Sequence, residues 1–135
     1  MACDVGTVRI GLARSDAHGI LAFPLDAVAA GEGALAQVSA IVAELEAVEV
    51  VIGLPYRLDG SEGPAAQMAR DWAELLAEHV QVPIALVDER LTTVQAQRGM
   101  HAAGRTVRNS RKDIDSASAV VLLQSVLDRP SAAGS

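Results

Sequence analysis

Two short, unbroken apolar runs constrain the fold of this chain more than any other feature. EVVIGLP (49–55) ends in Gly and Pro, and PIAL (83–86) leads straight into VDE. Runs of this length without polar alternation are the pattern of strands buried on both faces, as in a parallel sheet. Helix-period segments flank them. Leu35, Val38, Ile41, Val42 and Leu45 predict a helix over 33–47, after a Gly-containing break at 31–33. Met68, Trp72, Leu75 and Leu76 predict a second one ending near His79, after the loop DGSEGP at 59–64.

Before these, RIGLARSD (9–16) and ILAFPLDAV (20–28) read as strands joined by turn residues at Asp16–Gly19, with the first few residues pairing beside them. After strand 83–89, Thr92 or Thr93 is placed to cap a helix running to Met100. GRTVRNSRK (104–112) reads as a polar loop, and a last helix turns Val120, Leu123, Val126 and Leu127 inward before PSAAGS. Strands alternating with helices after a meander predict an α/β fold, a mixed sheet with helices on both faces. Ligand sites in such sheets lie at the carboxyl ends of strands.

With 135 residues, one domain is expected, spanning 1–128 with a tail at 129–135. Half the residues are hydrophobic, yet Phe, Tyr and Trp occur once each, so the core must be aliphatic. No apolar run approaches the roughly 20 residues of a membrane span. MACDVGT lacks the features of a secretory signal, and Cys3 alone can form neither an internal disulfide nor a cysteine metal site. A cytoplasmic protein with no membrane partner is expected.

The net charge of −6 is unevenly spread. Residues 1–89 carry 4 Arg against 14 acids, whereas residues 90–112 carry 5 Arg and 1 Lys with no acid. A basic block inside an acidic chain offers a local field to phosphates that the net charge hides.

Three segments place acids where a surface role explains them poorly. Asp4 lies in the first strand, followed by Gly6, which permits a tight turn. Asp88 and Glu89 end a strand, where alternation lets only one of them join a common site. Asp113 and Asp115 open the last helix, about 200° apart, so again one faces inward. Ser110 and Asp113 fit a capping pattern that leaves Asp115 free. One carboxylate from each segment makes a cluster that needs a counter-charge. Two ions of Mg²⁺ or Mn²⁺ suit such oxygen donors and the hydrolysis of a phosphodiester. Solvated acids capping helices are the plainer reading of the same residues.

DVGTVRIGLARSD (4–16), VVIGLPYRLDGSEG (50–63), VDERLTTVQAQ (87–97) and DIDSASAVVLLQSVL (113–127) resemble the YqgF/RuvX family. That family comprises small bacterial proteins linked to Holliday-junction resolution and to processing of the 16S rRNA precursor. The resemblance covers nearly the whole chain. It implies an RNase H-like fold and metal-dependent endonuclease activity, with rRNA precursor or branched DNA as partner. It also implies Asp4, Glu89 and Asp115 as catalytic metal ligands, with Asp113 the alternative to Asp115. Two features depart from the family pattern: only Met1–Cys3 precede the first acid, and Arg57 stands where an asparagine is common.

Around these, Asp88 and Arg90 are expected to support the site, and Gly6 to allow close approach of backbone. Arg9, Arg105, Arg108, Arg111 and Lys112 are the candidate phosphate contacts. A homodimer would suit symmetric cutting of a junction. A nucleic-acid-binding module that kept the fold without catalysis is the competing expectation.

Overall fold

The computed structural model describes residues 1–89 and 111–129. Five strands form one sheet: β1 (Ala2–Val5), β2 (Arg9–Ser15), β3 (Ala22–Ala29), β4 (Val50–Leu54) and β5 (Ile84–Asp88). Their spatial order is β3-β2-β1-β4-β5. The first three make an antiparallel meander, and β4 runs parallel to both β1 and β5. Helix α1 (Ala34–Glu44) leads into β4, and α2 (Pro64–Ala77) connects β4 to β5. Helices α3 (Arg111–Asp115) and α4 (Ala117–Leu127) complete the described chain. This is the α/β architecture expected, a mixed sheet consistent with an RNase H-like fold.

Strand alternation sends neighbouring side chains to opposite faces, and each face has its own core. Cys3, Ile10, Leu12 and Ile52 pack under α1 and α2. Ala2, Ala13, Val51 and Val87 pack under α4. Every residue of β4 is buried, as its unbroken apolar run predicts. β5 differs: it is an edge of the described sheet, and Leu86 is 38% exposed.

Helix α2 starts with Pro64 at its first turn, where a missing N–H costs nothing. It faces the sheet with Ala66, Ala69, Ala73 and Leu76, while Leu75 points outward at 47% exposure. The spacing of Met68, Trp72, Leu75 and Leu76 places the helix, but these large side chains do not all mark its buried face. The helix instead lays its small residues on the sheet, and Trp72 packs half-buried at the margin.

The last helix also differs from expectation. Arg111 and Lys112, read as loop, open α3, and Ser116 separates α3 from α4. The helix expected up to Met100, the Ser110 cap and the 130–135 tail lie outside the described residues.

Candidate active site

Alternation fixes which acids can meet. Asp4 has the parity of Ala2, Gly53 that of Val51, and Glu89 that of Val87, all residues of the core beneath α4. In the parallel ladders Ala2 pairs with Val51 and Gly53 pairs with Val87. Asp4, Gly53 and Glu89 therefore share one face at the carboxyl ends of three adjacent strands. Asp88 has the opposite parity, so Glu89 is the acid of that pair that joins Asp4.

Gly53 makes the meeting possible. A Cβ there would fall on a carboxylate oxygen of Glu89 and 2.8 Å from its Cγ and Cδ. The Glu89 side chain thus lies across β4, over the one position without a side chain, and hydrogen-bonds with Asp4. Burial, then the Asp4 charge and hydrogen bond, then the Asp88 charge push the Glu89 carboxyl up to about 7. Placed so, the Glu89 carboxyl holds its proton close to neutrality unless a cation replaces it.

Asp115 approaches β2 from α3. Gly11 stands opposite Asp4 in the antiparallel pair. A Cβ on Gly11 would lie 2.7 Å from the Asp115 carbonyl oxygen, so helix backbone rests directly on β2 there. The β2–β3 register shifts between Ile10 and Leu12, an irregularity that interrupts the ladder. Ser116 fills the gap. Its Oγ accepts from the Leu12 amide at 3.0 Å and donates to the Leu25 carbonyl at 2.7 Å. Gln124 ties α4 to the start of β3 in the same way, accepting from Ala22 N–H at 3.0 Å and donating to the Ile20 carbonyl at 2.9 Å.

The Asp115 carboxylate is engaged by two guanidinium groups. Arg9 Nη1 lies 3.5 Å from Oδ1 and Arg111 Nε lies 3.2 Å from Oδ2. Among the described residues, no group of three or more His, Cys, Asp or Glu is arranged to hold a metal ion. The structure thus joins Asp4 with Glu89 and pairs Asp115 with arginines.

Of the other residues singled out, Gly6 accommodates the Arg9 carbonyl oxygen 2.7 Å from where a Cβ would be, closing the β1–β2 turn. Asp88 adds negative charge beside Glu89. Lys112 is exposed on α3 and Asp113 half-buried. Arg90, Arg105 and Arg108 lie outside the described residues. Cys3 is fully buried, and burial pushes its thiol up to about 12, which removes it as a nucleophile.

Sequence reasoning missed Gly53 and Ser116. The glycine was read only as a strand terminator. A lone hydroxyl ahead of an apolar helix gave no hint of the β2–β3 irregularity it satisfies.

A family model described as RuvX, Holliday junction resolvase, matches residues 1–129. A protein of Kineococcus radiotolerans named "Putative pre-16S rRNA nuclease" is 50% identical over 95% of this chain and 70% of its own length. Proteins of the same name from Mycobacterium leprae and Clavibacter michiganensis are 51% and 42% identical. These alignments cover 96% and 100% of this chain, and 72% and 86% of those proteins.

Proposed function

Since the chain belongs to the RuvX family of Holliday junction resolvases, we propose that it is an endonuclease that hydrolyses nucleic-acid phosphodiesters, with the 16S rRNA precursor as first substrate. The observation that carries the reading is the Asp4–Glu89 pair, brought together over Gly53 at the carboxyl ends of the strands. The relatives' name supports RNA as substrate; the family's description supports a four-way DNA junction as the second one. Paired cutting of a junction would engage two copies of the chain.

The donor set fits a divalent cation. Asp4 and Glu89 offer hard oxygen ligands, and their mutual repulsion is what such an ion relieves. Asp4, Glu89 and Asp115 would hold Mg²⁺ or Mn²⁺, and a second ion beside the first would complete a two-metal site. When bound, such ions supply Lewis-acid activation of water and of the scissile phosphate. The chain's own residues do the rest. The β1 and β5 ends bring the Asp4 and Glu89 carboxylates together over Gly53 of β4. Arg9, Arg105, Arg108, Arg111 and Lys112 are the donors proposed for the phosphate backbone. Hydrolysis on this pattern leaves a 5′-phosphate and a 3′-hydroxyl.

The engagement of Asp115 by two arginines is the one observation that favours a second reading, a binding module without catalysis. A side-by-side assay separates them. The chain is incubated in Mg²⁺ or Mn²⁺ with a single-stranded RNA spanning the 16S precursor 5′ end, and separately with a synthetic four-way DNA junction. Metal-dependent cutting of the RNA is expected, and preference for the junction would reverse the order of substrates. Binding of both without cutting would select the module.

A further inference from the structure

Asp115 and its two partners differ in what solvent can reach. The Asp115 side chain is 13% exposed, whereas Arg9 is 42% and Arg111 81% exposed. An anion arriving from solvent therefore meets the guanidinium groups before the carboxylate. Both contacts are longer than the roughly 2.7–2.9 Å of a tight charge-assisted hydrogen bond, and exposed pairs of this kind contribute little. A phosphodiester, which an arginine can bind through two parallel N–H donors, is a competent replacement partner.

The backbone beneath does not share that freedom. The Asp115 carbonyl rests on Gly11, and Ser116 is fully buried with its hydroxyl bonded to β2 and β3. Exchange at this site is thus confined to side chains. Asp115 stays docked beside the strand that carries its neighbour Gly11 opposite Asp4, whichever partner its oxygens have.

We propose that Arg9 and Arg111 are positioning residues that occupy the Asp115 carboxylate until the nucleic-acid backbone takes them, so that substrate and divalent cation bind cooperatively. This rests on the reading of Asp115 as a metal ligand and adds to it an order of events. Without nucleic acid the cation meets Asp4 and Glu89 while Asp115 is held by its arginines. Once phosphate oxygens draw the guanidinium groups away, the third carboxylate becomes available and two positive charges move off the cation's flank. Linkage makes the effect reciprocal: the cation strengthens nucleic-acid binding by the same factor.

The test measures Mn²⁺ binding to the full chain in the absence of nucleic acid, by electron paramagnetic resonance of the free ion. The Arg9→Ala/Arg111→Ala double variant is expected to bind Mn²⁺ about tenfold more tightly than the wild type, within the usual range of such linkages. Adding Asp115→Asn to the double variant is expected to abolish the gain. A gain that survives Asp115→Asn would be a field effect of lost positive charge and would overturn the proposal, as would no gain at all. Cleavage by the Asp115→Asn single variant separates this from the underlying reading. Wild-type cleavage by that variant removes Asp115 from the metal site altogether. Lost cleavage without an Asp115-dependent gain in Mn²⁺ affinity overturns the positioning role alone.

Discussion

The Glu89 side chain occupies the volume that a Cβ on Gly53 would need, and by crossing there it reaches Asp4 two strands away. The groups in conflict would be a methyl and a movable carboxylate, not two backbones. Gly53→Ala is therefore expected to keep the fold, with a melting temperature within a few degrees of wild type, while forcing Glu89 off Asp4. Cleavage should fall by about one to two orders of magnitude, since displacement near 1 Å at a reacting centre has that effect. Circular dichroism and single-turnover rates on one preparation check both halves.

The same crossing has a pH signature. Glu89 is raised to about 7 from an ordinary 4.5, so in the metal-free protein it favours the fold when protonated. Its contribution is fully present below about pH 4.5 and is lost as pH rises through 7. Glu89→Gln removes that loss. At pH 8 without divalent cation, the variant is expected to be more stable than wild type by about 1 kcal/mol, a figure discounted for solvent contact. The gap should close at pH 4. Thermal melts at the two pH values would contradict this if Glu89→Gln were the less stable protein at pH 8.

Ser116 carries a structural prediction independent of chemistry. Ser116→Ala leaves the buried Leu12 amide and the Leu25 carbonyl without their partner. A loss of about 2–3 kcal/mol is expected in urea denaturation, from unsatisfied buried groups. A change below about 0.5 kcal/mol would mean that the β2–β3 irregularity closes on itself.

How much of this was legible in the sequence follows from what each signal measures. The alternation of apolar runs with helix-period segments places β4, α1 and α2, because burial leaves an imprint on hydrophobicity. It does not give the buried face of α2, which packs through Ala66, Ala69 and Ala73, residues that periodicity of large side chains undercounts. The three acidic segments were nameable from the residues, and the family resemblance singled out Asp4, Glu89 and Asp115 within them. The parity rule that one of Asp88 and Glu89 would join Asp4 holds in the structure. The ladder that sets Glu89 over Gly53 supplies the geometric reason for that choice. That Asp115 would be paired with Arg9 could not be read, since 106 residues separate them and the contact depends on α3 resting on Gly11. Glycines and hydroxyls act by absence or by single bonds, and neither leaves a periodic trace.

The most direct measurement is the single-turnover cleavage rate of Asp4→Asn in Mg²⁺ on the preferred nucleic acid, with binding of that substrate measured alongside. Asp4 is held by β1 between two paired strands, so its carboxylate can be neutralised without disturbing the fold. A rate about a thousandfold below wild type is expected, from the several kcal/mol of charge stabilisation a bound ion provides, with affinity for the nucleic acid, measured without divalent cation, within about threefold of wild type by the argument that phosphate contacts lie elsewhere. Cutting at the wild-type rate would contradict the assignment of the Asp4–Glu89 pair as the catalytic centre.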